Sequence, residues 1–410
     1  MTTVMRYLPA VAGLLVCVAG AMAEEAPAPP VPAAGQAKTL TPQEQQRAAA
    51  LAKTIVGADG PAALQAVKDL RAMGDVVKPR LAAAVRERLT RDKALIDAGA
   101  RRIGDAAKAK AMQDELVALR KSAVANIAKL AKDDTMRIAH ENYEKLRQMQ
   151  TVLNEAWMVR EAMASVMVRR AELLAVWQEI APANDAKFGP ANEEALRAAA
   201  EAAIGLTVEQ VRRVPEFGKD KEPADPAVWN LWFYRTCRQT EAYNRTLANL
   251  MSPEEMECVT LLNAYRESLG TLPLEVDARL LQSARRHSKE MADLGYFAHE
   301  SPTASEKTHT QRMKNAGYTS GYSENIADGA SGGKDVFDMW FDSPPHHQNM
   351  VHAGSTAIGV GKYGSKWTQN FGTGKRLMVM EEAERAKAAV LGTVLPPSGS
   401  AATRMRQATP

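Results

Sequence analysis

From Asp105 to Ile180 the chain runs without a proline or a glycine, and Pro182 then halts it. No residue in this stretch breaks a helix, so helix is the conformation open to it. Leu146, Met149, Leu153, Ala156, Met163, Met167, Leu174 and Trp177 recur in three- and four-residue steps that keep them on one helical stripe, which Arg160 and Arg170 interrupt. A single helix over the span would be on the order of 100 Å long at ~1.5 Å per residue. A break near Asp133-Asp134 and an antiparallel bundle are therefore expected. The stripe allows two readings: the inward face of a monomeric bundle, or the seam of a coiled coil that makes a homo-oligomer through the helical region.

Helix signals continue on both sides. Thr41-Pro42-Gln43-Glu44 has a cap, an N1 proline and an N3 glutamate in the order of a helix start. A helical hairpin is read over Pro61 to Met73 and Pro79 to Leu95. Asn192 is placed to cap an alanine-rich helix ending near Gly205, and Thr207 with Gln210 to box a shorter one. These segments make residues 41–214 an all-α bundle or coiled-coil region. A linker rich in charge and proline is read over 215–227, and a connecting helix over 228–251 carries Trp229, Trp232, Phe233 and Tyr243. The net charge of +4 is small for 410 residues, with no dense run of Lys and Arg, so nucleic acid is not expected as a partner.

The N-terminus reads as an export signal over 1–23: Arg6, an apolar run from Leu8 to Val18, and Ala21-Met22-Ala23 at the cleavage site. Lipidation at Cys17 is the alternative, but Val16 stands where a small residue is needed. A Pro- and Ala-rich flexible linker follows over 24–40. No later stretch could span a bilayer, so the mature protein is expected to be periplasmic or extracellular. Cleavage leaves Cys237 and Cys258. Their different distances from the Ser252-Pro253 turn argue against pairing, and both read as small apolar residues on helix faces.

A separate domain is read over 252–373. Ser252-Pro253-Glu254-Glu255 opens a helix with Cys258, Leu261, Leu262, Tyr265 and Leu269 on one face. A second helix places His287 among Val276, Leu280, Ala284, Met291 and Leu294, on the apolar side. Five of the seven histidines then fall between Tyr296 and His352. Among the polar residues there, His299, Glu324 and His346 are placed for chemistry, while His309 and His352 read as exposed. Tyr318 to Ala327 reads as a strand or extended loop, and Ala357–Gly361 and Lys366–Phe371 as strands. Past Gly374 one amphipathic helix fits the pattern, and the tail over 374–410 is otherwise expected to be disordered.

Several segments carry a family resemblance: Leu262-Asn263-Ala264-Tyr265-Arg266, Leu272-Pro273-Leu274, Phe297-Ala298-His299, Arg312-Met313 with Ala316-Gly317-Tyr318, Glu324-Asn325-Ile326-Ala327, Trp340 to Asn349, Ile358-Gly359-Val360-Gly361 and Trp367 to Gly372. In this order they resemble the CAP family of cysteine-rich secretory, antigen five and pathogenesis-related proteins, in its bacterial SCP-like form. The resemblance implies an α+β chain: a three-layer α-β-α sandwich with a central antiparallel sheet, preceded by the all-α region. It also implies a cleft that gathers His299, Glu324 and His346. Beside these, His287, Asn325 and His347 are read from the sequence as supporting residues. The second glutamate of many animal members is absent here, so Asp342 or Ser343 stands in for it or the position is vacant.

Two imidazoles and a carboxylate suit zinc, with His299 and His346 as ligands, or a metal-free histidine base oriented by Glu324. They equally suit a buried network that holds loops together. The first functional expectation is a binding module for a lipid, sterol, other small molecule or extracytoplasmic protein. The alternatives are a metal- or histidine-dependent hydrolase and a structural envelope protein acting through the helical region.

Overall fold

A computed structural model describes residues 39–379, apart from 59, 105, 128–132, 182–184 and 215–221. The export signal over 1–23 with Cys17, the flexible linker up to 38, the linker residues 215–221 and the tail beyond 379 lie outside the described residues.

The first half of the chain is helical. Thr41 opens α1 (Pro42–Gly57) with the box read from the sequence: its hydroxyl accepts from Glu44 N–H, and the Glu44 carboxylate accepts from Thr41 N–H at 2.8 Å. Then come α2 (Pro61–Arg71) and α3 (Lys78–Ile103), which Gly104 terminates at φ 65. The proline-free stretch is two helices, α4 (Ala106–Ile127) and the 48-residue α5 (Asp133–Ile180). A salt bridge from Arg169 to Asp92 (2.8 Å), with Met163 against Gly99, shows α3 running antiparallel along α5, and Arg120 of α4 donates to Gln150 of α5 (2.5 Å). Leu146, Leu153, Met163, Met167 and Trp177 of the stripe are accordingly buried. Both arginines that interrupt it find partners of their own. Arg170 pairs with Glu193 (2.5 Å), and the Arg160 guanidinium lies over the Trp157 ring.

In α6 (Pro190–Ile204) the N-cap is Gly189 rather than Asn192, because Pro190 occupies the first helical position and draws the start three residues back. After α7 (Val208–Arg212), α8 (Pro226–Thr246) begins on the Asp225 cap. Cys237 and Cys258 are separate buried thiols.

The second half builds a sheet between helices. In order come α9 (Pro253–Ser268), β1 (Glu275–Val276), α10 (Ala278–Asp293), α11 (His309–Asn315), β2 (Gly321–Asp328), α12 (Gly333–Phe341), α13 (Pro344–Val351), β3 (Ala357–Tyr363) and β4 (Lys366–Gly372). The strand order is β1-β3-β4-β2. The chain is α+β, but the sheet is mixed rather than wholly antiparallel, because β1 pairs with β3 in parallel. Asn244 of α8 serves this short strand as a neighbour would: its Nδ2 donates to Leu274 O (3.0 Å) and its Oδ1 accepts from Val276 N–H (2.9 Å). Helices α10 and α11 cover one face of the sheet, and α9, α12 and α13 the other.

Two glycines set the spacing on the α10 side. A Cβ on Gly359 would stand 2.1 Å from the backbone of Leu280 and Leu281, and one on Gly361 would stand 2.2 Å from Arg285 N. Ile358 and Val360 alternate with them and are fully buried. Gly359→Ala therefore has to push α10 off the sheet, and a loss of about 1–3 kcal/mol is expected from urea unfolding. Gly332→Ala is the matched control, since its Cβ would meet nothing closer than 3.9 Å.

Candidate functional site

Strand β2 lies at the edge of the sheet, and alternation sends its side chains to opposite faces. Glu324 pairs in register with Asn370 and points toward α10 and α11, while Asn325 points toward α13. The Glu324 carboxylate is almost completely buried, which an unpaired charge would not tolerate. Arg312 Nη2 donates to both of its oxygens, at 2.8 and 2.7 Å, and His299 Nδ1 donates to Oε1 at 3.0 Å. With its amide nitrogen turned toward the carboxylate, Asn370 adds a bond of 3.1 Å to Oε2. Burial by itself would raise the Glu324 pKa. The His299 hydrogen bond and the Arg312 charge outweigh that and hold it below the usual carboxylate value. Because Nδ1 of His299 is the donor to an anion, the neutral ring keeps its lone pair on Nε2.

His346 enters from α13, and its carbonyl accepts from Asn325 Nδ2 at 3.1 Å. Its ring is half-buried, and among the described residues it has no hydrogen-bond partner. Burial, and then the charge of nearby His299, keep its pKa below the ordinary value. Asn325 is locked further by Gln369 Oε1 (3.0 Å) and Asn349 Nδ2 (2.9 Å), so it positions the α13 backbone.

The other residues read from the sequence are distributed differently. His287 is fully buried on α10, with Nε2 at 3.1 Å from Ala298 O and 3.9 Å from Glu324 Oε1, directly behind the carboxylate. His347 is a core residue: Nδ1–H donates to Phe341 O (2.7 Å) and Nε2 accepts from Tyr265 OH (2.8 Å). Burial pushes its pKa down to about 4. Asp342 turns to the helical bundle and meets His140 Nε2 of α5 at 2.5 Å, so it does not complete the cluster. Ser343 sits at the N-cap of α13 without a side-chain capping bond. His309 Nε2 lies 3.4 Å from Tyr322 O, and His352 stacks on the Tyr322 ring at 4.1 Å. Arg312 and Asn370 were not singled out as site residues, although both fall within the segments that carry the resemblance. A buried carboxylate was the signal that a cation had to be found for it.

A structural zinc ion needs four donors and a catalytic one needs three. No group of three or more His, Cys, Asp and Glu suited to a metal occurs among the described residues. With Glu324 committed to Arg312, the donor set does not fit zinc. Neither Ser323 nor Ser343 bonds an imidazole, and the Ser323 hydroxyl is buried without a partner.

A buried carboxylate with its arginine, and two imidazoles near it, lie at the edge of the helix-covered mixed sheet of an α+β domain. Residues 259–373 match the sequence model of the cysteine-rich secretory protein family and form a CAP domain. The protein YkwD of Bacillus subtilis, described as uncharacterized, is 39% identical over 124 residues, which cover 30% of this chain and 48% of that protein. The uncharacterized membrane protein YlbC of the same organism is 28% identical over 128 residues, covering 30% of this chain and 35% of YlbC. The chain thus spans less than half the length of either relative. Among solved structures, an extracellular SCP-domain protein of Bacillus anthracis is 26% identical with a TM-score of 0.28, covering 38% of this chain and 45% of that one.

Removing the cation tests the site's electrostatics. Arg312→Leu strands a buried charge and is expected to cost about 3–5 kcal/mol at pH 7 by urea unfolding, with Glu324→Gln in the same chain recovering most of it. The stability contributed by Glu324 is present above the unfolded carboxylate value and is lost as pH falls through its lower folded value. His347 acts in a higher window. The unfolded chain takes up its proton near 6.5 and the folded one only at about 4. Stability should therefore fall by up to about 3 kcal/mol as pH drops across that window, at ~1.36 kcal/mol per unit. Unfolding midpoints at pH 7 and pH 4, compared between the natural chain and His347→Gln, check this.

Proposed function

We propose that the chain is an exported CAP-domain protein that binds a ligand in the cleft around His299, Glu324 and His346. The observation that carries this reading is the commitment of Glu324 to Arg312. A carboxylate held by a two-pronged ion pair, a histidine and an amide is poor as a general base. What the cleft offers instead is recognition: the Nε2 of an exposed His299 and an unpartnered His346 ring. Two exposed aromatic residues flank the cluster in sequence, Phe297 (48% exposed) two residues before His299 and Tyr322 (44%) two before Glu324. Exposed rings in the same segments as the polar groups suit an amphipathic occupant such as a lipid or sterol, with an extracytoplasmic protein as the other partner class. A hydrolase is less well supported, because neither serine beside the cluster has a base. Export rests on the leader at 1–23. No helix among the described residues is long and apolar enough to cross a membrane.

The test is lipid carried through purification and identified by mass spectrometry, together with titration of a fluorescent sterol and a fluorescent fatty acid. Uptake that weakens at least tenfold (about 1.4 kcal/mol) in His299→Ala/His346→Ala is the expected outcome. A chain that carries no lipid and takes up neither probe would remove the lipid reading.

A second role, self-association through the helices, is favoured by one observation. Leu95, Val117, Val124, Val152 and Met158 of α3, α4 and α5 are exposed aliphatic side chains on the bundle surface. Light scattering is expected to give a dimer mass that returns to monomer in Val152→Lys/Met158→Lys. A monomeric mass for the unaltered chain would reject this role.

A further inference from the structure

A groove of about 480 Å³ lies along the outer side of α10, between that helix and the chain around Thr303 and Glu306, with His287 and Arg312 in its lining. Its volume suits a small organic ligand. His299 and His346 are not among the residues that line it, so it is distinct from the cleft.

The charges of the groove cancel with one exception. Arg286 pairs with Glu306 (2.7 Å), Lys289 with Asp293, and Arg312 with Glu324. Glu290 has hydroxyl partners: Oε1 accepts from Ser301 Oγ and Thr303 Oγ1, and Oε2 from Tyr296 OH, each at 2.7 Å. Burial would raise its pKa, but these three hydroxyls outweigh it, so Glu290 is ionised. Among the described residues no lysine or arginine forms an ion pair with it. Two donors fill Oε1, while Oε2 keeps a lone pair.

That lone pair faces a second one. His287 Nε2 donates to Ala298 O, which leaves Nδ1 as the bare nitrogen, and Nδ1 is buried without a hydrogen-bond partner. It stands 3.7 Å from Glu290 Oε2. A buried acceptor left unmade costs about 1–3 kcal/mol, and two acceptors facing each other add repulsion. One group with at least two N–H bonds, ~2.8 Å from each acceptor, satisfies both. Arg312 Nε is a further buried group without a partner, and it is a donor, so it calls for an acceptor on the same occupant.

We propose that this groove is a second binding site, for a small molecule or chain end that presents a primary ammonium group beside a hydrogen-bond acceptor. The ammonium supplies the positive charge that Glu290 lacks and hydrogens for both lone pairs. A neutral hydroxyl has a single O–H, so it would satisfy one acceptor and leave the other, and the charge, unmatched.

The test follows the His287 ring nitrogens by NMR in the full chain, with glycinamide as the ammonium-plus-carbonyl probe. Acetamide lacks the charge, tetramethylammonium lacks the N–H bonds, and zinc chloride tests a metal. Glycinamide is expected to shift the Nδ1 signal saturably, with acetamide and tetramethylammonium at least tenfold weaker. Glu290→Gln is expected to weaken glycinamide at least tenfold. Leu294→Trp, at an exposed position on the groove wall, should do the same by obstruction without touching the polar groups, so the outcome can be read even if Glu290→Gln fails to fold. No saturable response to glycinamide, an equal response to acetamide, a response to zinc alone, or full retention in Leu294→Trp would overturn the proposal.

Discussion

The buried ion pair between Arg312 and Glu324 is the interaction around which the C-terminal domain is arranged. Glu324 is on the edge strand and Arg312 on α11, so the pair fastens a short helix to the sheet. The same guanidinium donates through Nη1 to Glu306 O (2.9 Å) and Lys307 O (3.2 Å), which fixes the chain leading into that helix. Through Glu324 it also sets the tautomer and position of His299. Removing either charge would leave the other desolvated and uncompensated, a worse state than never having buried the pair. A residue that first reads as chemical equipment is thus committed to holding the site together. This shifts the weight of the functional reading from catalysis to recognition.

The helical bundle is joined to this domain by polar contacts as well as apolar ones. Arg120 of α4 is buried and donates to Ser268 O and Glu267 O, each at 2.9 Å, at the C-terminal end of α9, where Glu267 O also accepts from Gly270 N–H (2.9 Å). Burial lowers its pKa to about 10, still far above neutrality, so the cation persists. Tyr143 of α5 lays its ring against Tyr265 (4.8 Å) and Phe341 (5.4 Å), next to the pairing of His140 with Asp342. Asn244 closes β1 in a similar way from α8. The α9 side of the sheet is therefore packed against the preceding helices, and among the described residues the β2 edge and the outer side of α10 are left uncovered.

What was legible in the sequence follows from the range of the interactions. Helices with apolar periodicity and local caps, such as Thr41 with Glu44 and Ser252 with Glu255, are specified within a few residues and fall where the pattern puts them. The division of the stretch into α4 and α5 was legible because an unbroken helix would outgrow a compact bundle. Asn192 misled because a cap residue and an N1 proline competed for one helix start, and the proline's fixed φ prevailed. Strand β1 has two residues and no periodicity to detect. Asp342 could not be placed, because its partner His140 is 202 residues away on a helix outside the domain. His299 and Glu324 were legible as a pair of chemical types; the arginine that binds the carboxylate first was not, since nothing local marks an arginine as buried.

His287 is satisfied on one side only. Periodicity placed it on the apolar face of α10, and it is indeed without exposure, yet only one of its two nitrogens is satisfied. The ring stands between Glu324 on one side and Glu290 on the other, at 3.9 and 3.7 Å. Arg312 also faces both ways, holding Glu324 with Nη2 while its Nε lacks a partner among the groups lining the groove. A lysine could not do this, because it offers a single charged centre where the guanidinium offers a rigid fork with separate edges. The Glu324 cluster and the groove thus have one arginine and one histidine in common. An occupant of the groove would complete the hydrogen bonds of the same two side chains that hold the cleft's carboxylate in place.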